Sequence, residues 1–213
     1  MMHTADMILA LVLVSVLFCL CSSRMLILVK WIVFQGIAIS LVQVFFHQQA
    51  GVENIVFAMI MLSIRGILIP LFIYIAVKKI AIKREIEPIV GYHASLFAGL
   101  LMMVFAAFIG KKFNLHSIGS NPFLIPTAIT TLMAGMFLVM TRRKAITMVI
   151  GYIMMENGIY LVGMSLTKHT HYIVEFGILL DVLVGVMLMG IILNNINKTF
   201  DDIDTTLLRS LKD

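Results

Sequence analysis

Two carboxylates stand near the middle of long apolar segments in the last third of the chain. Glu156 lies in the run GYIMMENGIYL, and Asp181 lies in the run VEFGILLDVLVGVM. An ionisable side chain at the centre of a bilayer costs at least about 2.5–3.5 kcal/mol on insertion scales, so such residues usually handle protons or ions. Tyr152 and Tyr160 lie four residues to either side of Glu156 and share its helical face, which places two hydroxyls within reach of the carboxylate.

A basic residue stands at a similar depth in an earlier apolar segment. Arg65 is too far from either end of that segment to reach water easily, and an unpaired buried guanidinium is not tolerated. It needs a carboxylate, water or free backbone carbonyls, and Pro70 removes the helical hydrogen bond to the carbonyl of Gly66, which predicts a kink beside it. Together with Glu156 and Asp181, Arg65 predicts a lateral row of charged groups in the membrane plane.

Three further polar residues also lie in apolar segments. Glu175 lies nearer a segment end, close to His169 and His171, where it is either the outer end of a proton path or a solvated rim. Gln35 and Gln43 are about two helical turns apart, so they face one way and are expected to hydrogen-bond to a neighbouring helix.

The composition shows which kind of fold must position these groups. The chain has 213 residues, of which 61% are hydrophobic and 13% charged, with a mean hydropathy of +1.06. Such values are typical of an all-α polytopic membrane protein, in which each span needs about 20 apolar residues. The segments of that length are seven: Ala5–Cys21, Leu26–Phe46, Asn54–Val77, Ile89–Ile109, Pro122–Met140, Ile146–Leu166 and Tyr172–Leu193.

Short connections between these segments leave room for a single transmembrane domain over residues 1–213. Residues 1–140 hold five spans, residues 141–193 hold the last two, and residues 194–213 form a short polar tail. Of the sixteen Lys and Arg residues, eleven lie in loops on one side of the membrane and three on the other. The rich side is expected to be cytoplasmic, which puts the N-terminus outside and the C-terminus inside.

The sequence lacks the patterns of a catalytic or metal site. No nucleophile–base pairing, phosphate-binding loop or zinc motif is present, and no histidines face each other at mid-helix positions for haem ligation. The net charge of +5 comes mainly from Lys and Arg residues in the loops of one side of the membrane. We therefore expect the chain to lie in a lipid bilayer and not to bind a nucleic acid. We therefore expect a chain with no catalytic residues and no cofactor of its own.

At the level of motifs, the chain resembles a known family. RRKAITMVIGYIMMENGIYL, VEFGILLDVLVGVMLM and SIRGILIPLFI are similar to component E of hydrogenase-4 and formate hydrogenlyase complexes. The last three spans also resemble the K-type subunit of complex I, in which two glutamates belong to the proton-carrying axis of the membrane arm. By that resemblance Asp181 replaces the second glutamate, whereas the first aligns with Ile153 and Glu156 stands one helical turn further on.

The resemblance implies a membrane-arm subunit of a membrane-bound [NiFe]-hydrogenase complex in the inner (cytoplasmic) membrane. It implies a proton or ion path through Arg65, Glu156 and Asp181, with a nickel–iron centre and iron–sulfur clusters in partner subunits. Those partners are antiporter-like and quinone-site-type membrane subunits and a peripheral hydrogenase arm. Two alternatives remain at this point: a subunit of a multisubunit cation/proton antiporter or stand-alone ion transporter, and a passive scaffold in which the charges only lock helices together.

Overall fold

The computed structural model describes residues 2–46, 59, 63–69, 71, 73, 90–112, 121–166, 184–187 and 189–190. These residues contain no β-strand, and their backbone is organised as long helices. The helices are α1 (Met2–Cys21), α2 (Met25–Phe46), α3 (Tyr92–Lys112), α4 (Leu124–Thr141) and α5 (Ala145–Leu166). A π-helical turn, Ile64–Leu68, lies between α2 and α3 in the chain.

All five helices are long and apolar enough to cross a bilayer. They correspond to the first, second, fourth, fifth and sixth predicted spans, so these five predictions are confirmed. The fourth begins at Tyr92 and ends at Lys112, three residues later than predicted at both ends. Most of the predicted third and seventh spans lies outside the described residues. The total of seven spans and the orientation of the termini therefore stay predictions.

Helices α4 and α5 form an antiparallel hairpin in which glycines bring the two backbones into contact. A Cβ atom at Gly158 would lie 2.5 Å from the backbone nitrogen of Leu132, and one at Gly151 would lie 2.9 Å from that of Val139. Neither position has room for a side chain, because backbone atoms fill the space. Close approach of small residues lets van der Waals packing hold membrane helices together. The hairpin therefore fixes the height of Glu156 on α5.

The buried apolar side chains form two clusters. Cluster A includes Leu28, Ile32, Ile69, Ile150, Ile153, Met154 and Val184. Cluster B includes Ala38, Ile39, Val42, Tyr160, Leu161 and Met164. Both clusters contain residues of α2 and α5, because α2 packs along α5 and also contacts the π-helical turn. Helix α1 packs against α2, α3 and α4 and completes the bundle.

Polar contacts tie helix ends together at both ends of the bundle. Arg142, which follows α4, is completely buried and donates a hydrogen bond of 2.9 Å from Nη2 to the carbonyl of Leu20 in the last turn of α1. Its guanidinium also lies over the ring of Tyr92, the first residue of α3. Burial lowers the pKa of Arg142, and the charge of Tyr92 acts in the opposite direction. At the other end, Asn121 donates a hydrogen bond to Asp6.

Helix α3 lies at the edge of the described bundle, with a broad apolar surface facing outward. Its exposed side chains include Phe97, Leu101, Val104, Phe105 and Phe108. Contact with lipid tails accounts for such a surface, since hydrocarbon accepts these side chains without penalty. The buried face of α3 carries Ser95, Gly99, Ala106 and Gly110, whose small size lets its neighbours approach closely.

Candidate functional site

An arginine from the π-helical turn and a glutamate from α5 form a buried ion pair. Nη2 of Arg65 lies 2.9 Å from Oε1 of Glu156, and the two residues are 4% and 2% exposed. Nη1 of Arg65 donates a second hydrogen bond, of 2.7 Å, to Oδ1 of Asn157. The guanidinium carbon lies 4.5 Å from the centre of the Tyr160 ring. One cation thus interacts with a carboxylate, an amide oxygen and an aromatic face.

The pair lies at mid-height in the bundle. Glu156 is eleven residues after Ala145 and ten before Leu166, the ends of α5, so it is about 15 Å from either end at 1.5 Å per residue. At that depth a lone charge is costly, and removing one partner leaves the other uncompensated. Of the three kinds of partner that the sequence left open for Arg65, the structure shows a carboxylate, that of Glu156.

Local backbone features bring Arg65 to α5. The π-helical turn, which includes Arg65 and Gly66, is wider than an α-helical turn, and such turns are frequent at functional sites. On α2, a Cβ atom at Gly36 would lie 3.5 Å from Cβ of Arg65, so α2 runs directly behind the arginine. The sequence predicted an irregularity here from Pro70. That residue lies outside the described part, and the irregularity observed is the π-helical turn.

A small cavity adjoins the ion pair between α2, the π-helical turn and α5. Its volume is about 10 Å³, which is room for about one water molecule. Its wall is formed by Ile32, Val33, Gly36, Arg65, Ile69, Ile73, Ile153, Glu156 and Asn157. The cavity is therefore apolar except where Arg65, Glu156 and Asn157 reach it.

Three of the six site residues predicted from the sequence meet at this point: Arg65, Glu156 and Tyr160. Tyr160 is buried and turns the face of its ring to the arginine. Tyr152 is half-buried and packs against cluster A. Asp181 and Glu175 lie outside the described residues, so their places in the site stay predictions.

Two buried amide residues, Asn157 of α5 and Gln35 of α2, were not predicted as site residues. Asn157 holds the second hydrogen bond of Arg65, and the signal for it was its position next to Glu156, since a guanidinium has five donors to satisfy. Gln35 of α2 is completely buried, but the hydrogen bond expected for it is not found, because neither of its amide atoms has a partner among the described residues. The side chain of Gln43 lies outside the described part.

The described helices and their site define a class of protein. It is a polytopic helical membrane protein that encloses an arginine–glutamate pair at mid-depth. Among the described residues, no group of three His, Cys, Asp or Glu side chains is placed to hold a metal ion. In the part of the chain that the structure describes, the site consists of one cation, one anion, an amide and an aromatic ring.

Sequence comparison shows a relative of this chain. It is 32% identical over 155 residues to the uncharacterized protein Rv0085 of Mycobacterium tuberculosis (strain ATCC 25618 / H37Rv), and the match covers 71% of this chain and 70% of that protein. The chain belongs to the same family as this mycobacterial protein. No protein-family model matches the sequence. No solved structure matches it either.

Hydrogenase-4 component E is a more distant homologue. The proteins of Escherichia coli (strain K12) and Shigella flexneri are each 26% identical to this chain over 147 residues, which is 68% of this chain and 68% of either relative. This homology supports the resemblance noted from the motifs around Arg65 and Glu156. The further similarity to the K-type subunit of complex I stays a prediction.

Proposed function

We propose that this chain is a membrane-arm subunit of a complex I-related, membrane-bound [NiFe]-hydrogenase complex of the hydrogenase-4 or formate hydrogenlyase type. Within that complex it forms part of the path along which protons or other ions move as electrons are transferred. The homology to hydrogenase-4 component E supports membership of such a complex. The observation that carries the role in the path is the buried pair between Arg65 and Glu156 at mid-depth.

The arrangement of Arg65 suits a group that gains and loses a proton beside it. Its two terminal nitrogens bond to different residues, Glu156 and Asn157. When Glu156 takes up a proton and its hold on the arginine weakens, the bond to Asn157 and the ring of Tyr160 still keep the guanidinium in place. The proton can then leave Glu156 without a large movement of the arginine, as a relay requires.

We extend the path to Asp181 on the strength of its neighbour Val184. Val184 is buried in cluster A together with Ile69 and Ile153, which also line the cavity beside the ion pair. Three residues on a helix make nearly one turn, so a helix through Val184 would present Asp181 on the same face. Glu175 then marks the outer end of the path, and Tyr152 supports the face of α5 that carries Glu156.

The proposal also includes partners. The nickel–iron centre and the iron–sulfur clusters belong to a peripheral hydrogenase arm, and antiporter-like and quinone-site-type subunits continue the membrane arm. The complex is placed in the inner (cytoplasmic) membrane. This chain contributes no redox centre. Its buried charges connect the ion paths of the neighbouring membrane subunits.

Affinity purification from gently solubilised membranes tests the membership. The tagged full-length chain is expected to bring down nickel–iron and iron–sulfur subunits and a large antiporter-like protein, identified by mass spectrometry. Recovery of antiporter subunits alone would instead indicate that the chain is a subunit of a cation/proton antiporter. Recovery of the chain by itself would favour a stand-alone transporter and contradict the proposal.

Replacing Glu156 tests the role in the path. Glu156→Gln keeps the size of the side chain but removes the ionisable group, so we expect the complex to assemble and its hydrogenase reaction to continue while ion pumping into membrane vesicles is lost. Asp6→Asn is the matched control, because it makes the same chemical change at the end of the bundle, where Asp6 contacts Asn121. Unchanged pumping by Glu156→Gln would defeat the role, and a lower yield of complex with unchanged pumping per assembled complex would favour a passive scaffold.

A further inference from the structure

Two buried amide side chains, one on α2 and one on α5, have unused hydrogen-bonding atoms. Both Nε2 and Oε1 of Gln35, and Nδ2 of Asn157, have no hydrogen-bond partner among the described residues. Gln35 is 0% exposed and Asn157 is 2% exposed, so solvent outside the bundle does not reach either. Buried amide groups in proteins are nearly always satisfied, by protein atoms or by ordered water.

On α2, Gln35 stands in a stripe of buried side chains that packs into the bundle. Leu28 and Ile32 lie seven and three residues before it and belong to cluster A, whereas Ile39 and Val42 lie four and seven residues after it and belong to cluster B. Residues at these spacings share one face of a helix. Gln35 therefore points into the bundle at the level where the two apolar clusters meet.

On α5, Asn157 occupies the equivalent place in the facing stripe. Ile150 and Ile153 lie seven and four residues before it in cluster A, and Leu161 lies four residues after it in cluster B. Each cluster contains residues of both α2 and α5, so Gln35 and Asn157 lie at the same level of the bundle, where the two clusters meet. Asn157 also lines the cavity beside the ion pair.

We propose that Gln35 and Asn157 form a binding site for buried water next to the Arg65–Glu156 pair. A bound water accepts a hydrogen bond from Nδ2 of Asn157 and exchanges hydrogen bonds with the amide of Gln35, which offers both a donor and an acceptor. A buried water typically makes about three hydrogen bonds, and the two amides with the polar wall of the cavity supply that number. The adjoining cavity, of about 10 Å³, is large enough for about one water.

The site deepens the proposed function, because water beside Glu156 is the carrier that a proton relay needs, but it stands without that function. Two buried amides can hold a water molecule in a protein that moves no ions. Its charged neighbours are few: Arg65 comes from the π-helical turn, α4 has no ionisable side chain, and Lys30, the one charged residue of α2, is exposed. The water is therefore held chiefly by amides and the ion pair.

Water-edited solid-state NMR of the full-length chain in lipid bilayers tests the site. With ¹⁵N-labelled side-chain amides, we expect magnetisation from water to reach the amides of Gln35 and Asn157, although both are buried. Gln35→Met, which keeps the length but removes the amide, is expected to slow transfer to Asn157 several-fold. Ser40→Ala is the matched control on α2, because the buried Ser40 hydroxyl is already bonded to the carbonyl of Gly36.

The outcomes separate this inference from the proposed function. Transfer to neither amide, or a direct contact between the two amides without transfer from water, would overturn the water site whatever the vesicle experiment shows. Transfer to both amides, slowed several-fold at Asn157 in Gln35→Met and unchanged in Ser40→Ala, establishes the site even if Glu156→Gln still pumps ions. In that case the proposed function fails and the water site stands.

Discussion

The ion pair between Arg65 and Glu156 predicts a large and strongly non-additive loss of stability when it is broken. At an effective dielectric constant of about 20, unit charges 2.9 Å apart attract each other by about 6 kcal/mol before desolvation is subtracted. Removing one member of a buried pair usually costs about 3–5 kcal/mol, because the other charge is left uncompensated. We therefore expect Arg65→Met and Glu156→Gln each to lower the free energy of unfolding by that amount.

The double variant Arg65→Met/Glu156→Gln leaves no buried charge at the site. Its loss of stability is expected to be smaller than the sum of the single losses, with a coupling free energy of about 2–3 kcal/mol. Unfolding of the full-length chain by a denaturing detergent in mixed micelles is a suitable measurement. Trp31, the one tryptophan of the sequence, stacks on Phe18 with ring centroids 4.5 Å apart and reports the unfolding of α1 and α2 by its fluorescence.

Two further variants serve as references for this cycle. Arg143→Met removes an exposed arginine of the α4–α5 loop, so we expect a change within about 0.5 kcal/mol. Arg65→Lys keeps the charge but not the planar fork that bonds Glu156 and Asn157 at once, so its loss should be intermediate. Single losses below about 1 kcal/mol that simply add in the double variant would refute the pair as a stabilising contact.

Three other predictions follow from the bundle. Gly158→Ala is expected to cost about 1–3 kcal/mol, because its Cβ would lie 2.5 Å from the backbone nitrogen of Leu132 and the hairpin would have to open; detergent unfolding measures it. Arg142→Met is expected to cost about 1.5–3 kcal/mol through loss of the charged hydrogen bond to the carbonyl of Leu20, measured by the same Trp31 fluorescence. Cysteine placed at Lys112 should react with a membrane-impermeant maleimide from outside the cell, whereas cysteine in the α4–α5 loop should react only after permeabilisation.

Each of these has a matched reference. Gly91→Ala introduces a Cβ with no neighbouring atom within 4 Å, so it should leave the hairpin unaffected, and an equal loss in both glycine variants would contradict the packing argument. Arg143→Met is the control for Arg142→Met, because Arg143 is exposed and Arg142 is buried. Equal losses of stability in the two variants would contradict a stabilising role for the buried hydrogen bond of Arg142. Labelling is done with both natural cysteines, Cys19 and Cys21, replaced by alanine. The opposite labelling pattern would reverse the orientation.

Much of the fold could be predicted from the sequence, because a membrane-spanning helix is recognised by the length and apolar composition of its segment. Five of the predicted spans were found as helices with nearly the predicted bounds, since about 20 apolar residues in a row have few other uses. That Arg65 needs a carboxylate, water or free backbone carbonyls also follows from chemistry alone. By contrast, the position of Arg142 in RRK predicts a solvated loop cation, whereas its side chain is completely buried. The sequence does not show that the end of α1 offers it a backbone carbonyl, because that contact depends on how the helices pack.

The sequence by itself determined that Arg65 and Glu156 stand deep in apolar segments, because depth follows from counting residues along a helix. Only the tertiary structure decided that they meet, that Asn157 and the ring of Tyr160 share the arginine, and that Gln35 is completely buried. The physical reason is that partner choice depends on how helices rotate and how closely they pack. Here a π-helical turn and backbone contacts at Gly36 and Gly158 set those quantities.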